Sequence, residues 1–171
     1  MDKLKTFFKE YYGYLVALLV VILIKTFVVA PIKVNGQSMM NTLKDKDIMI
    51  LDKISYKFNN IKRFDIVVVK YNDEYLIKRV IALPRENVYY KGNKLYINGK
   101  KIDENFKHKK TDDFSLDELE STKVPDNMYF VLGDNRSNSM DSRIIGFIPK
   151  DKIIGKTSLT IFPFNRMGTK K

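Results

Sequence analysis

The sequence predicts a mainly β protein of antiparallel sheets with one N-terminal transmembrane helix, and three observations predict it. A single long apolar run lies near the N-terminus. A succession of short runs rich in branched residues follows, each closed by turn formers. Asn98-Gly99 then sits between apolar runs, the strongest short-range hairpin signal a sequence offers.

The apolar run YYGYLVALLVVILIKTFVVAPI covers 22 residues from Tyr11 to Ile32, close to the ~20 that cross a bilayer as a helix. Only Lys25 interrupts it, near the far end, where its stem can carry the ammonium to the interface. Lys3, Lys5 and Lys9 precede the run and favour a cytoplasmic N-terminus. The chain then divides into a cytoplasmic segment 1–10, a membrane anchor 11–32 and an extracytoplasmic domain 33–171 at the cell membrane. A cleaved signal peptide competes with this reading, with Leu15 to Ile24 as its apolar region and Val28-Val29-Ala30 as its cleavage site. Pro31 opposes it, because proline directly after a scissile bond restricts the backbone and removes a donor.

Beyond the anchor, IKVNGQSMMNTL is an extended segment running into a loop, with Gly36 giving the backbone freedom just ahead of Ser38. DIMILDKISY, FDIVVVKY and EYLIKRVIAL read as strands, and YYKGNKLYINGKKI as the hairpin. Residues 103–123, DENFKHKKTDDFSLDELESTK, have too few apolar positions for a core strand and read as a charged insertion loop with one helical turn near Leu116. NMYFVLGDN is a strand stopping at Gly133, and GFIP and DKIIGKTSLTIFPF complete the chain.

Composition closes several routes. There is no cysteine, which excludes disulfides, thiolate nucleophiles and cysteine zinc sites. The one histidine, His108, lies in the charged run NFKHKKTDDF and is expected to be solvated, so a two-histidine metal site is excluded and a serine nucleophile is expected to use another base. The net charge of +11 is spread too thinly for a nucleic-acid stripe. Towards the C-terminus, Lys150, Lys152, Lys156, Arg166, Lys170 and Lys171 stand against Asp151 alone, which fits either an anionic lipid surface or a solubilising tail.

The chemistry centres on Lys78. With strand period two, Leu76, Lys78, Val80 and Ala82 share one face, and Tyr75, Ile77, Arg79 and Ile81 the other. A lysine in an apolar row loses its preference for the ammonium form, which makes it a base near neutral pH. A serine hydroxyl needs such a base to become nucleophilic. The bland alternative is a strand-edge lysine paired with a surface carboxylate, and a serine after a glycine is commonly a turn residue.

Longer motifs weigh between these readings. GQSMMNTL resembles the serine box of the bacterial type I signal peptidases, YLIKRVIALP the lysine box, FDIVVV the strand before it, and GDNRSNSMDSRIIG the family's most distinctive late motif. They stand in the family's order and, with the anchor, cover nearly the whole chain. The resemblance implies a fold of the signal-peptidase and LexA-like type, and a hydrolase that removes signal peptides from preproteins without metal or cofactor. It implies Ser38 as nucleophile and Lys78 as general base, with the Ser38 N–H facing the oxyanion. Ser139 matches the serine that holds the lysine, and Asp141 with Arg143 and Asp134 with Arg79 match supporting ion pairs. Val34, Gly36, Met39, Leu43, Leu76 and Ile77 match positions along the substrate, which pairs as an added strand. Taken alone, the apolar five of these are more often plain core.

The chain departs from the family at Asn41, where proline is usual, at Ala82 and Arg85, where glycines are usual, and at Gly36, where some members carry a hydroxyl that donates to the oxyanion. Two alternatives follow. One is a catalytically weak or inactive membrane-tethered accessory protein assisting surface-protein assembly. The other is a soluble self-cleaving repressor of the same fold, which the anchor opposes.

Overall fold

A computed structural model describes residues 2–54 and 60–170. Helix α1 (Asp2–Leu23) continues through a π-helical turn, Ile24–Val28, and gives way to strand β1 (Val29–Lys33). The helical part of the apolar run therefore ends at Val28, four residues short of the expected anchor boundary at Ile32. Branched Val29 and Ile32 suit a strand, and Pro31, which lacks an N–H, suits an edge. From Glu10 to Phe27 the helix is exposed along its whole length, and Glu10–Val28 is long and apolar enough to cross a membrane.

An eight-stranded antiparallel sheet forms the body of the domain. Its strands are β1, β2 (Ile48–Asp52), β3 (Ile66–Tyr71), β4 (Glu74–Ala82), β9 (Met128–Leu132), β10 (Ile148–Pro149), β11 (Ile153–Phe162) and β12 (Gly168–Thr169). They run in the order β1-β2-β11-β3-β4-β9-β10, with β12 added to β11. A second, four-stranded sheet runs in the order β7-β6-β5-β8, from β5 (Val88–Lys91), β6 (Lys94–Ile97), β7 (Lys100–Ile102) and β8 (Phe114–Ser115). The Asn98-Gly99 hairpin joins β6 to β7, with both residues at the positive φ, 50° and 77°, that a tight two-residue turn requires. The last residues of DIMILDKISY lie outside the described residues.

Three apolar clusters stack along these sheets. One joins the small sheet to β9 and the end of β4 through Val88, Tyr90, Leu95, Ile97 and Phe130. A second lies under β3, β4 and β9 and includes Val67, Val69, Val80 and Val131, with Leu76 packed on it. The third gathers Val34, Met39, Leu43, Met49 and Ile66 beneath the loop that carries Ser38.

The strand-period reading of β4 holds from Leu76 to Val80 and fails at Ala82. A register shift against β9 between Val80 and Ala82 turns both Ile81 and Ala82 into the first cluster. A bulge of this kind resets the alternation of faces.

The 103–123 region is tied down more firmly than its composition implies. Phe114 and Leu116 are buried in the first cluster, and a 3-10 turn at Leu116–Leu119 is closed by a capping box from Ser115 and Glu118. His108 is not solvated: its side chain is 14% exposed, stacks near Phe106 and faces Glu104 at 3.5 Å. Glu104 in turn binds buried Arg136 at 2.6 Å, so long-range ion pairing replaces the apolar content this segment lacks.

Candidate active site

Residues 34–47 form a loop whose base is zipped by Val34 N to Asp47 O and Lys46 N to Val34 O, both 2.8 Å. Asp47 is clamped from outside by Arg166 at 2.8 Å. Gly36 has φ +87° and donates its N–H to Asp45 Oδ1 at 2.9 Å, a conformation that needs glycine. A turn closed by Met40 N to Gln37 O at 3.0 Å then lifts Ser38 out of the loop, half-buried.

β4 brings Lys78 to the same point. Its Nζ lies 2.8 Å from Ser38 Oγ, across 40 residues of sequence. Lys78 is only 2% exposed, and burial pulls its amine down from the usual lysine value to about 8, against the opposing attraction of the Asp141 and Asp134 carboxylates. A half-buried hydroxyl thus has an amine for its partner.

The strand end after β9 packs directly beneath this pair. A Cβ on Gly133 would collide with the Ser38 carbonyl oxygen and with Ser139 Oγ, so only glycine lets the two segments approach so closely. Gly133 N donates to Asp141 Oδ2 at 3.1 Å, and Asp141 takes Arg143 at 2.9 Å while capping helix α2 (Ser142–Ile145). Asp134 receives Arg79 through two bonds of 2.8 and 2.7 Å, both partners being almost fully buried. Arg79 also donates to Phe64 O at 2.9 Å and stacks 3.9 Å above the Phe106 ring.

The residues expected along a substrate divide. Val34, Met39 and Leu43 are almost fully buried in the third cluster, while Ile77 and Leu76 are half-buried and Gly36 is exposed. Ser139 is drawn next to Gly133, but its Oγ is buried without a hydrogen-bond partner among the described residues, and the expected bond to Lys78 is not formed. Among the described residues, β4 pairs from Glu74 to Lys78 with β3 on one side only, because β9 joins it only from Arg79 onward, and β1 pairs only with β2. A groove of about 690 Å³, lined by Ile32, Lys33 and Asn35 on one side and Tyr75 and Leu76 on the other, runs between them.

Sequence reasoning passed over Asn135, Arg136, Thr42 and Glu104. The first two lie inside the late motif, and Thr42, whose hydroxyl donates to Asp134, lies inside the serine box, so the motifs themselves marked them. Nothing local marks Glu104 as the partner of Arg136. Among the described residues no group of three His, Cys, Asp or Glu side chains is placed to hold a metal ion.

The protein falls in the class of serine peptidases, hydrolases here built on antiparallel sheet. A family model described as "Signal peptidase, peptidase S26" matches residues 8–162. The chain belongs to this family. It is 41% identical over 160 residues to a signal peptidase I of Bacillus amyloliquefaciens, covering 90% of this chain and 86% of that one. A signal peptidase IB of Staphylococcus aureus is 39% identical over 166 residues, covering 88% and 86%. The crystal structure of a signal peptidase I from Enterococcus faecalis V583 superposes with a TM-score of 0.53 at 38% identity, over 57% of this chain and 97% of that one.

Proposed function

We propose that this protein is a membrane-anchored serine endopeptidase that removes N-terminal signal peptides from preproteins, with Ser38 as nucleophile and Lys78 as general base. The observation that carries the reading is the 2.8 Å contact between the Ser38 hydroxyl and a buried amine whose pKa is pulled to about 8. Roughly one molecule in ten has a neutral amine at pH 7, and a substrate covering the groove expels more water and raises that share. The neutral amine takes the Ser38 proton as Oγ attacks the scissile carbonyl, and the ammonium returns it to the leaving amine. The same amine then activates the water that hydrolyses the acyl-enzyme. The Ser38 N–H receives the oxyanion.

Substrate lies extended along the unpaired edge of β4 and the segment before Ser38, bound through its backbone as an added strand. Half-buried Leu76 and Ile77 line its path, with Val34, Met39 and Leu43 as the floor beneath. Arg79, Asp134, Asp141 and Arg143 act as scaffold. Ser139, buried beside Gly133, is the residue the family resemblance assigns as lysine partner.

Residues 11–28 anchor the enzyme in the lipid bilayer of the cell membrane, the N-terminal residues are cytoplasmic, and residues 33–171 face outward. No metal, cofactor or nucleic acid takes part. Ser38→Ala and Lys78→Ala each abolish processing of a test preprotein while leaving the fold intact; undiminished cleavage by either variant refutes the pair. A second reading, an inactive tethered accessory protein, draws support from Asn41, whose φ of 101° is a conformation the family's proline cannot adopt. The same two variants decide it, since an inactive wild type would leave nothing to abolish.

A further inference from the structure

We infer that Asn135 is a positioning residue that aims the Ser38 backbone N–H at the developing oxyanion, acting through the Gln37–Ser38 peptide. The inference rests on the reading of Ser38 as nucleophile. Asn135 grips two successive carbonyls of the nucleophile loop: its backbone N donates to Ser38 O at 2.9 Å, and its side-chain Nδ2 donates to Gln37 O at 3.0 Å. Gln37 O also receives Met40 N at 3.0 Å, the bond that closes the turn.

In a trans planar peptide the carbonyl and the N–H point in opposite directions. Holding Gln37 O towards Asn135 therefore turns the Ser38 N–H away from it. That N–H has no acceptor among the described residues, so its donor capacity is free for an incoming charge. Gly36 supplies no side-chain donor, which leaves the aim of this backbone N–H to matter more.

The amide is fixed firmly enough for the task. Asn135 is 2% exposed, and because Gln37 O is an acceptor, only the amide nitrogen can face it. Its two neighbours are bolted on either side: Asp134 by Arg79, and Arg136 by Glu104, Tyr90 and Thr111 at 2.6, 3.0 and 2.6 Å. The charged 103–123 region thereby gains a role, since its Glu104 and Thr111 hold the loop that holds the nucleophile. Asn135 Oδ1 has no partner among the described residues, so the side chain acts on the loop through Nδ2 alone.

Outright loss of an oxyanion donor costs roughly 10²–10³ in kcat, and loss of aim with the donor retained falls below that, at roughly 10- to 100-fold. The experiment uses full-length protein in detergent with two ligands. One is a signal-sequence peptide ending in an aldehyde, which bonds its carbonyl carbon to Ser38 Oγ, places negative charge on the former aldehyde oxygen and passes the hydroxyl proton to Lys78. The other is the same peptide ending in an amide, which binds without forming that charge. Asn135→Ala and the isosteric Asn135→Asp are expected to weaken the aldehyde roughly 10- to 100-fold and to lower kcat by a similar factor, leaving amide-peptide affinity and KM within about threefold. The ratio of the two affinities does not depend on how much of a preparation is folded, so a destabilised variant still reports. An unchanged ratio in both variants, with Ser38→Ala inactive, overturns the inference and spares the nucleophile. Normal cleavage by Ser38→Ala overturns both.

Discussion

Gly133→Ala places one methyl group where three atoms already stand. The new Cβ would overlap the Ser38 carbonyl oxygen and Ser139 Oγ and would lie 2.7 Å from Ser139 Cβ, whereas ordinary contact begins at 3.4 Å. Ser139 Oγ can rotate away, but Ser139 Cβ must retreat by about 0.7 Å, and the Ser38 carbonyl is backbone, held by Asn135 N at 2.9 Å, and cannot rotate aside. Ser38 therefore moves relative to Lys78, whose place on β4 is fixed by its ladder to β3 and by the pairing with β9 that begins at the next residue, Arg79. A displacement approaching 1 Å costs about 100-fold in rate, or about 2.7 kcal/mol of transition-state stabilisation, and overpacking adds about 1–3 kcal/mol of destabilisation. Cleavage of a preprotein by the full-length variant in detergent, read as kcat/KM beside its melting temperature, checks this. Activity within threefold of wild type would refute the claim that the two segments touch through this glycine.

Further outcomes follow from the buried charges. Arg79→Met leaves Asp134 buried without its guanidinium and lowers the urea midpoint by an amount equivalent to about 3–5 kcal/mol, and adding Asp134→Leu recovers most of it; a single variant costing under 1 kcal/mol would contradict the buried pair. Lys78 supplies a pH signature of its own. With the unfolded amine at 10.5 and the folded one at about 8, the unfolded chain binds more protons between those values, so stability rises across that window and is flat below it. The stability difference between wild type and Lys78→Met should change by roughly 3 kcal/mol from pH 7.5 to 10.5, in favour of wild type at the alkaline end. A pH-independent difference would mean that the amine is solvated.

Much of this was legible in the residues because it is local. A helix long enough for a bilayer, runs of branched residues and the Asn98-Gly99 turn each declare themselves within a dozen positions. The end of the helical run at Val28 did not, because apolar Val29 to Ile32 continues the same hydrophobic stretch, and pairing with β2 decides. The face of Ala82 was misread for a related reason, since the bulge exists only against β9. His108 looked solvated in its charged run, yet its neighbours in space, Phe106 and Glu104, belong to a packed surface. Ser38 and Lys78 were reached through motifs rather than pattern, as no periodicity links residues 40 apart. Asn135 was inside a quoted motif and still unread, because its work is done on the backbone of another segment.

In the proposed mechanism the Lys78 amine is desolvated beside Ser38 and acts as the base. A pH profile of kcat/KM for preprotein cleavage tests it most directly, because the acidic limb reports the base in the free enzyme. A limb at about 8 is expected, with rate lost as the pH falls below it and the amine protonates. A limb near 10, where an ordinary lysine titrates, would contradict it.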